Sequence, residues 1–498
     1  MEAGLDGLGR RSALALGGAG ISGVAMVSSI VIASRSLSRG DAGEFFVAIS
    51  LFAIVQGSCS FGAETGFQYF IPTMSVPDAR RLIRVVATAS LIVGLAVATV
   101  VWLTARPLGE LLGEGDVSEG TENVVRTVAV LLPFAGLYEL TMGALRASDR
   151  VFLSVGVDRI IRPILQIGLM LAVAFSDGGS SALVLAWATP FVVAAIVASA
   201  LLIVLPPRTA SHEHLEVPQR VFWHYTAPRS IARIAQTLTQ RLDVVILAAV
   251  YPLEEVAVYG TVSRCMIAGV FVATALRQTV QPRLRRLIVD DDRVGVKNMY
   301  GASTTWLVLV TWPVYLTMIA FAPLVMRVFG PEYERGAPAL VLLCCAMLVA
   351  SACGLVDVVL LMLGRSWLST INVLVALALN VSLNLILAPR FGMMGSATAW
   401  VVAILASNLL PLFQTARFGG FHPWGTPLAT ATAGAAATIA IPMLAVRGAF
   451  GAGLAPFVGA TIVAGALYVG MLRRRWVSLK LDQLVGDLRR RGVNRAQA

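Results

Sequence analysis

The sequence predicts an all-α polytopic membrane protein. About fourteen transmembrane helices are expected, as two six-helix lobes around a central cavity plus two extra C-terminal helices. Three observations carry this. The 498-residue chain is 57% hydrophobic and 13% charged, with a mean hydropathy of +0.79, whereas soluble domains carry about a quarter charged residues. Apolar blocks long enough to cross a bilayer, about 20 residues each, recur along its length. The second half also repeats features of the first at an offset near 215 residues.

Taken in order, the blocks cover residues 13–34, 45–71, 85–103, 123–145, 151–175, 181–205, 229–250, 255–279, 301–325, 337–362, 369–388, 395–416, 427–446 and 452–472. The first is too long for the apolar region of a cleaved signal and has no convincing cleavage site, so it is expected to stay as a span. A net charge of +11 would suit nucleic acid if it clustered, but the basic residues lie between apolar blocks, where they set topology. Arg80, Arg81 and Arg84, then Arg146 and Arg150, Arg208 and Arg220, Arg283, Arg285, Arg286, Arg293 and Lys297, and finally Arg473–Arg475 fall in alternate loops. The intervening loops are poor in Lys and Arg. The stretch 104–122 is acidic, with Glu110, Glu114, Asp116, Glu119 and Glu122. Basic loops stay cytoplasmic, so both termini are expected there.

The repeat is read from ordered matches. ARPLGELLG (105–113) pairs with APLVMRVFG (322–330), ALRASDRVFLS (144–154) with LMLGRSWLS (361–369), and GSSALVLAW (179–187) with GMMGSATAW (392–400). A six-span repeat gives parallel copies with substrate held between the halves, a recurrent transporter design. The domains expected are an N-terminal lobe over 1–210, a C-terminal lobe over 211–417, spans thirteen and fourteen within 418–472, and a tail over 473–498. In that tail Val477, Leu481, Leu484 and Leu488 make an apolar stripe flanked by Arg473–Arg475, Lys480 and Arg489–Arg491. That pattern suits a helix lying on the anionic cytoplasmic leaflet.

No catalytic constellation is present: P-loop, G-x-S-x-G and H-E-x-x-H are all missing from the sequence. GAGISG (18–23) has dinucleotide spacing but sits in an apolar span with no βαβ unit around it, so small residues for close helix packing explain it better. His212, His214, His224 and His422 lie in loops without further ligands, and Cys59, Cys265, Cys344, Cys345 and Cys353 fall in apolar spans with no metal-site spacing. The cysteines read as small buried hydrophobes. No enzyme, metal or organic cofactor is expected.

Charge inside the spans carries the functional reading. An Arg, Lys or Asp at mid-bilayer costs about 2.5–3.5 kcal/mol on the mildest scale, and such groups normally face a cavity or a partner. In span seven Arg229, Arg233, Gln236, Gln240 and Asp243 recur at helical steps on one face. Arg229 is expected to snorkel to the interface and Arg233 to line the cavity. In span five Ser154, Asp158, Arg162 and Gln166 are spaced by four with Arg159 beside them. An Asp158–Arg162 pair would neutralise itself in part and leave Arg159 as net positive charge. Arg159, Arg162 and Arg233, with Gln236 and Gln240, are the predicted substrate-binding residues, on spans of opposite lobes. The equivalent second-half span carries Asn372, Asn380 and Asn384 instead, so the first lobe is expected to be the more cationic. Glu64, Glu139 and Asp357 stand as single acids in spans two, four and ten. Together with Asp158 and Asp243 they are candidates for proton or sodium coupling, with pairing to a nearby arginine as the alternative for each.

These features resemble a known group. RSLSRGDAGEFF (35–46), FGAETGFQYFIP (61–72), EEVAVYG (254–260) and FGPEY (329–333) are similar to stretches of the polysaccharide transport branch of the multidrug/oligosaccharidyl-lipid/polysaccharide exporter superfamily. Phe46, Ala63 and Glu64 depart from the glycine-rich pattern of that branch. The resemblance covers residues 10–416. It implies two six-helix lobes arranged as a V. It also implies flipping of an undecaprenyl-pyrophosphate-linked saccharide across a bacterial plasma membrane, with glycosyltransferases or a polymerase of the same pathway as partners. Spans thirteen and fourteen resemble the additional pair of the lipid II flippase branch, where they hold the lipid tail. The alternatives are an ion-coupled multidrug exporter, which would need an anionic chamber, and a non-transporting scaffold for envelope-synthesis enzymes.

Overall fold

The computed structural model describes residues 21–112, 119–176, 178–205, 207 and 219–479. All regular elements among the described residues are helical. They fall into two compact units, each described by itself. The first holds the described residues up to Gly260 together with Asn384–Ser396; the second holds Thr261–Leu383 and the described residues from Ala397 onward. The expected lobe boundary lay at 210/211, whereas the compact grouping keeps the seventh span with the first unit. The reason is packing: this helix lies against the second span through the aromatic residues described below.

In the first unit the helices are α1 (Ile21–Ser36), α2 (Arg39–Cys59), α3 (Ala63–Phe70), α4 (Val76–Leu103), α5 (Ala105–Leu112), α6 (Glu119–Ala147), α7 (Val151–Gly156), α8 (Arg162–Phe175), α9 (Ser180–Val204), α10 (Gln219–Ala248) and the start of α11 (Leu253–Cys265). Local signals set several starts. Ser38 and Ser75 cap α2 and α4 by accepting from the Asp41 and Asp78 amides, and Pro77 lies in the first turn of α4, as N-cap chemistry favours. α6 is the hub, packed against α2, α3, α4, α5, α7 and α9. Around it Phe52, Tyr138, Trp187 and Phe191 form an aromatic cluster with centroid separations of 5.0–5.4 Å, a spacing suited to edge-to-face contact. At the far end of this core the buried Glu44 carboxylate accepts from Thr121 and Ser180 hydroxyls, each at 2.6 Å.

The second unit continues with α12 (Ile267–Val289), α13 (Arg293–Ala320), α14 (Ala322–Arg327), α15 (Ala337–Cys353), α16 (Val356–Met362), α17 (Ser366–Gly419), α18 (Thr426–Ala435), α19 (Ile441–Phe450) and α20 (Leu454–Arg474). α13 is its hub. Trp306 and Leu309 pack with Leu428 and Ala431, and Leu316 and Ala320 with Ala435, Ile439, Met443, Ala460 and Ala464. Small residues on α18–α20 let the backbones close up. The Tyr468 hydroxyl and Arg447 Nη1 donate to the Leu309 and Ala320 carbonyls at 2.6 and 2.7 Å. Spans thirteen and fourteen are thus fixed to the ninth.

Nine stretches among the described residues are long and apolar enough to cross a membrane. α17 supplies two of the fourteen predicted passes. Gly392 (φ 54°, ψ −132°) breaks it, and that left-handed geometry favours glycine. The other passes are α1, described from Ile21 onward, α7–α8, α10 and α11–α12, which are shorter, broken or charged. The glycine motif at 18–20, the acidic loop at 113–118, the histidines at 212 and 214 and the tail beyond 479 lie outside the described residues. Among the cysteines Cys59, Cys344 and Cys353 are buried, but Cys345 is exposed.

Candidate functional site

Charged groups of the first unit converge on one face of α6. Tyr138, Glu139, Met142 and Arg146 follow one another there at helical spacing. Glu139 Oε1 lies 2.5 Å from Arg233 Nη2 of α10, and its Oε2 accepts from Gln56 of α2 at 3.1 Å. Arg146 reaches Glu64 of α3 with Nε at 3.1 Å and Nη2 at 3.0 Å, and donates Nη1 to Ser154 Oγ of α7 at 3.3 Å. Gln68 completes that corner, bonding Glu64 at 3.2 Å. The Tyr138 hydroxyl donates to Asp158, whose other neighbour is Arg162 Nε at 3.5 Å. Arg162 also bonds Gln166 at 3.1 Å and lies 4.5 Å over the Phe191 ring.

Span five owes its geometry to Pro163. A π-turn over Val157–Ile161 separates α7 from α8, and the Arg162 amide bonds the Val157 carbonyl, five residues back. Pro163 has no N–H to offer. The Asp158 carbonyl is therefore left without a helical donor, and Arg162 Nε fills the vacancy at 3.2 Å. π-turns of this kind recur at functional sites.

The expected Asp158–Arg162 pair therefore forms. Glu64, Glu139 and Asp357, expected as single acids or as arginine partners, are all paired. Asp357 belongs to the second unit, where it meets Arg277 of α12 at 2.5 Å. Asp243 needs correction. It does not continue the accessible stripe of α10: it is fully buried, bonded to the Tyr259 hydroxyl at 2.5 Å and the Val244 amide at 2.9 Å. Steps of four and three drift slowly around a helix, and at the end of α10 the drift carries the stripe under α11. Arg229, Arg233, Gln236 and Gln240 are exposed along α10. Arg229 does not extend outward but folds back, with Nη1 on the Tyr225 carbonyl at 2.7 Å. In place of arginines, the second unit has a neutral amide pair, Asn372 with Gln414, at 2.7 and 2.8 Å.

The balance of charge in the cluster is informative. Glu64, Glu139 and Asp158 are faced by Arg146, Arg233 and Arg162 respectively; with Arg159, next in sequence to Asp158, the group carries one net positive charge. The Arg159 side chain, half-buried on the π-turn, makes no ion pair or hydrogen bond with any described residue. Arg146, Gln56 and Tyr138 escaped the sequence reading. Arg146 reads as one of the basic loop residues, although the repeat marks it out. Arg277 lies 213 positions after Glu64, and Asp357 lies 211 after Arg146. The same two positions of the repeat thus carry an ion pair in each unit, with the signs exchanged.

A two-unit helical membrane fold with a cationic cluster among its spans is similar in fold to transporters of the multidrug/oligosaccharidyl-lipid/polysaccharide exporter superfamily. Its fold resembles the lipid II flippase MurJ in an inward closed conformation, with a TM-score of 0.75, 13% identity and coverage of 94% of this chain and 99% of that one. It also resembles an inward-facing multidrug resistance MATE transporter, with a TM-score of 0.60, 15% identity and coverage of 82% and 98%. The family described as polysaccharide biosynthesis protein matches residues 35–338, and the chain belongs to it. A curated relative, the probable low-salt glycan biosynthesis flippase Agl15 of Haloferax volcanii, is 21% identical over 200 residues. That match spans 40% of this chain and 42% of the relative's length.

Proposed function

We propose that the protein flips an undecaprenyl-pyrophosphate-linked saccharide across the bacterial plasma membrane by alternating access, with both termini cytoplasmic. The observation that carries this reading is the surplus arginine of the cluster. An unpaired Arg at bilayer depth keeps its full insertion cost of about 2.5–3.5 kcal/mol, which an anionic ligand offsets. Arginine suits pyrophosphate because its planar fork bonds two oxygens at once. Arg159, Arg162 and Arg233 hold the pyrophosphate, and Gln236 and Gln240 extend the polar track along α10. The phosphate competes with Glu139 for Arg233, and the carboxylate so released is free to bind a proton or sodium ion. Glu64, Asp158, Asp243 and Asp357 are the further coupling candidates. Glycosyltransferases or a polymerase of the same pathway supply and consume the cargo.

The test is transport of a lipid-linked oligosaccharide in inside-out vesicles. Arg159→Gln is expected to lower flipping at least about tenfold with an equal or higher melting temperature, since no described residue loses a partner and an uncompensated charge is removed. Arg159→Lys keeps charge without the fork and is expected to retain part of the activity. Wild-type rates in Arg159→Gln would remove the proposed role, and export of cationic dyes in place of the lipid would favour a multidrug exporter.

A further inference from the structure

Tyr69, at the end of α3, terminates a stack of three side chains on the surface of the first unit. Its ring lies 4.6 Å from that of Tyr225, inclined by 24°. The Arg229 guanidinium carbon lies 3.9 Å from the Tyr225 centroid. Two groups cannot share one ring face at those distances, so Tyr69 and Arg229 cover opposite faces of Tyr225. The order is Arg229, Tyr225, Tyr69, and then open space: Tyr69 is 59% exposed.

The stack is held rigidly from beneath. Phe67 and Phe70 of α3 meet Phe222 of α10 at 5.8 and 5.9 Å, and Phe70 abuts Tyr69 and Tyr225 edge-on at 4.9 and 5.4 Å. The two helices come this close because residue 66 is glycine. A Cβ there would lie 2.5 Å from Thr226 Cγ2 and 2.6 Å from the Phe222 ring. Polar groups fringe the open face: exposed Gln68 is next in sequence, bonded to Glu64.

A lone exposed tyrosine at a membrane surface needs no explanation beyond the aromatic belt. A tyrosine whose other face is already stacked, in a row ending in a guanidinium, is prepared for something else. It presents a rigid flat surface at low entropic cost. A pyranose ring offers the complement, an apolar C–H face against the π-system and hydroxyls at its rim for Gln68. The placement also fits the cargo. Tyr225, Arg229 and Arg233 follow at steps of four on α10, so Tyr225 lies about 12 Å along the helix from Arg233, within reach of a short oligosaccharide.

We propose that the open face of Tyr69 is the platform on which a sugar ring of the carried saccharide docks, while its pyrophosphate lies two turns deeper at Arg233. This rests on the flippase reading above and adds to it a saccharide subsite. The test uses the purified full chain and two probes: undecaprenyl pyrophosphate alone, and the same carrier bearing a trisaccharide headed by N-acetylglucosamine. Tyr69→Leu is expected to weaken binding of the saccharide-bearing carrier roughly tenfold, to leave the bare carrier unchanged and to lower the melting temperature only slightly, by the loss of its contacts with Tyr225 and Phe70. Tyr69→Trp retains the π-face and is expected to bind both probes like wild type. An equal loss on both probes would make Tyr69 a structural or interfacial residue, and undiminished binding of the trisaccharide carrier by Tyr69→Leu would overturn the platform. If wild type binds neither probe, the flippase reading itself fails. If it binds both with equal affinity, that reading stands and the saccharide subsite fails.

Discussion

Removing one member of a buried ion pair costs about 3–5 kcal/mol, because the other charge is left uncompensated, whereas removing both can be nearly neutral. Arg162 can be judged on that difference. It meets Asp158, Gln166 and the Phe191 ring, contacts that would suffice for a purely structural residue. Arg162→Gln is expected to lower the melting temperature, and adding Asp158→Asn to restore it. Flipping is expected to stay low in the double variant, because the pyrophosphate has lost a ligand. Recovery of near wild-type flipping alongside stability would assign Arg162 to the scaffold alone. At this scale the sequence was legible where four-residue spacing on one helix brings groups together, as for Asp158 and Arg162 with Arg159 left over. Pairs between helices were harder. Arg233 with Glu139 and Arg146 with Glu64 depend on packing that no local spacing reports. Asp243 was misplaced because which neighbour covers the end of a stripe is a tertiary matter.

Two elements shape the cluster, the π-turn of span five and the α3–α10 contact. Pro163 is plain in the sequence, yet a proline within an apolar block signals only a kink or break. That the helix absorbs it as a π-turn, leaving the Asp158 carbonyl to Arg162 Nε, is a choice that no local spacing reports. Pro163→Ala gives residue 163 an N–H and permits a regular helix. The variant is expected to gain thermal stability, by up to about 3 kcal/mol on helix-propensity grounds, and to lose transport as Arg159 and Arg162 rotate with the changed register. A melting curve and a flipping assay on the same preparation check this. Faster flipping in the more stable variant would show that the π-turn has no part in transport. Span seven was placed at 229–250, whereas α10 begins at Gln219. Its first turns carry Phe222, Trp223 and Tyr225 among polar residues, an amphipathic pattern that hydropathy alone passes over.

For the molecule as a whole, hydropathy and loop charge sufficed for an all-helical membrane fold, since every backbone group in hydrocarbon must be bonded internally. Loop charge goes further and predicts orientation. Reporter fusions after Asp116 and Gly178 are expected to report the periplasm, and a fusion after Asp292 the cytoplasm; a cytoplasmic signal at Gly178 would break the topology. The repeat was visible as short matches at a steady offset, but its most telling feature was not, because Glu64 and Arg146 were replaced in the second copy by Arg277 and Asp357, opposite in sign. That exchange matters while the chain is being made. A duplicated protein releases two similar sets of helices into one bilayer, and each set offers partners to the other. A second span that met the tenth would set Glu64 against Asp357; an eighth that met the fourth would set Arg277 against Arg146. Like charges in so poor a dielectric repel strongly, while the correct unions attract. The inverted signs would favour union of each bent helix with the partner from its own half over the crossed pairing, as a sorting code written into the charges.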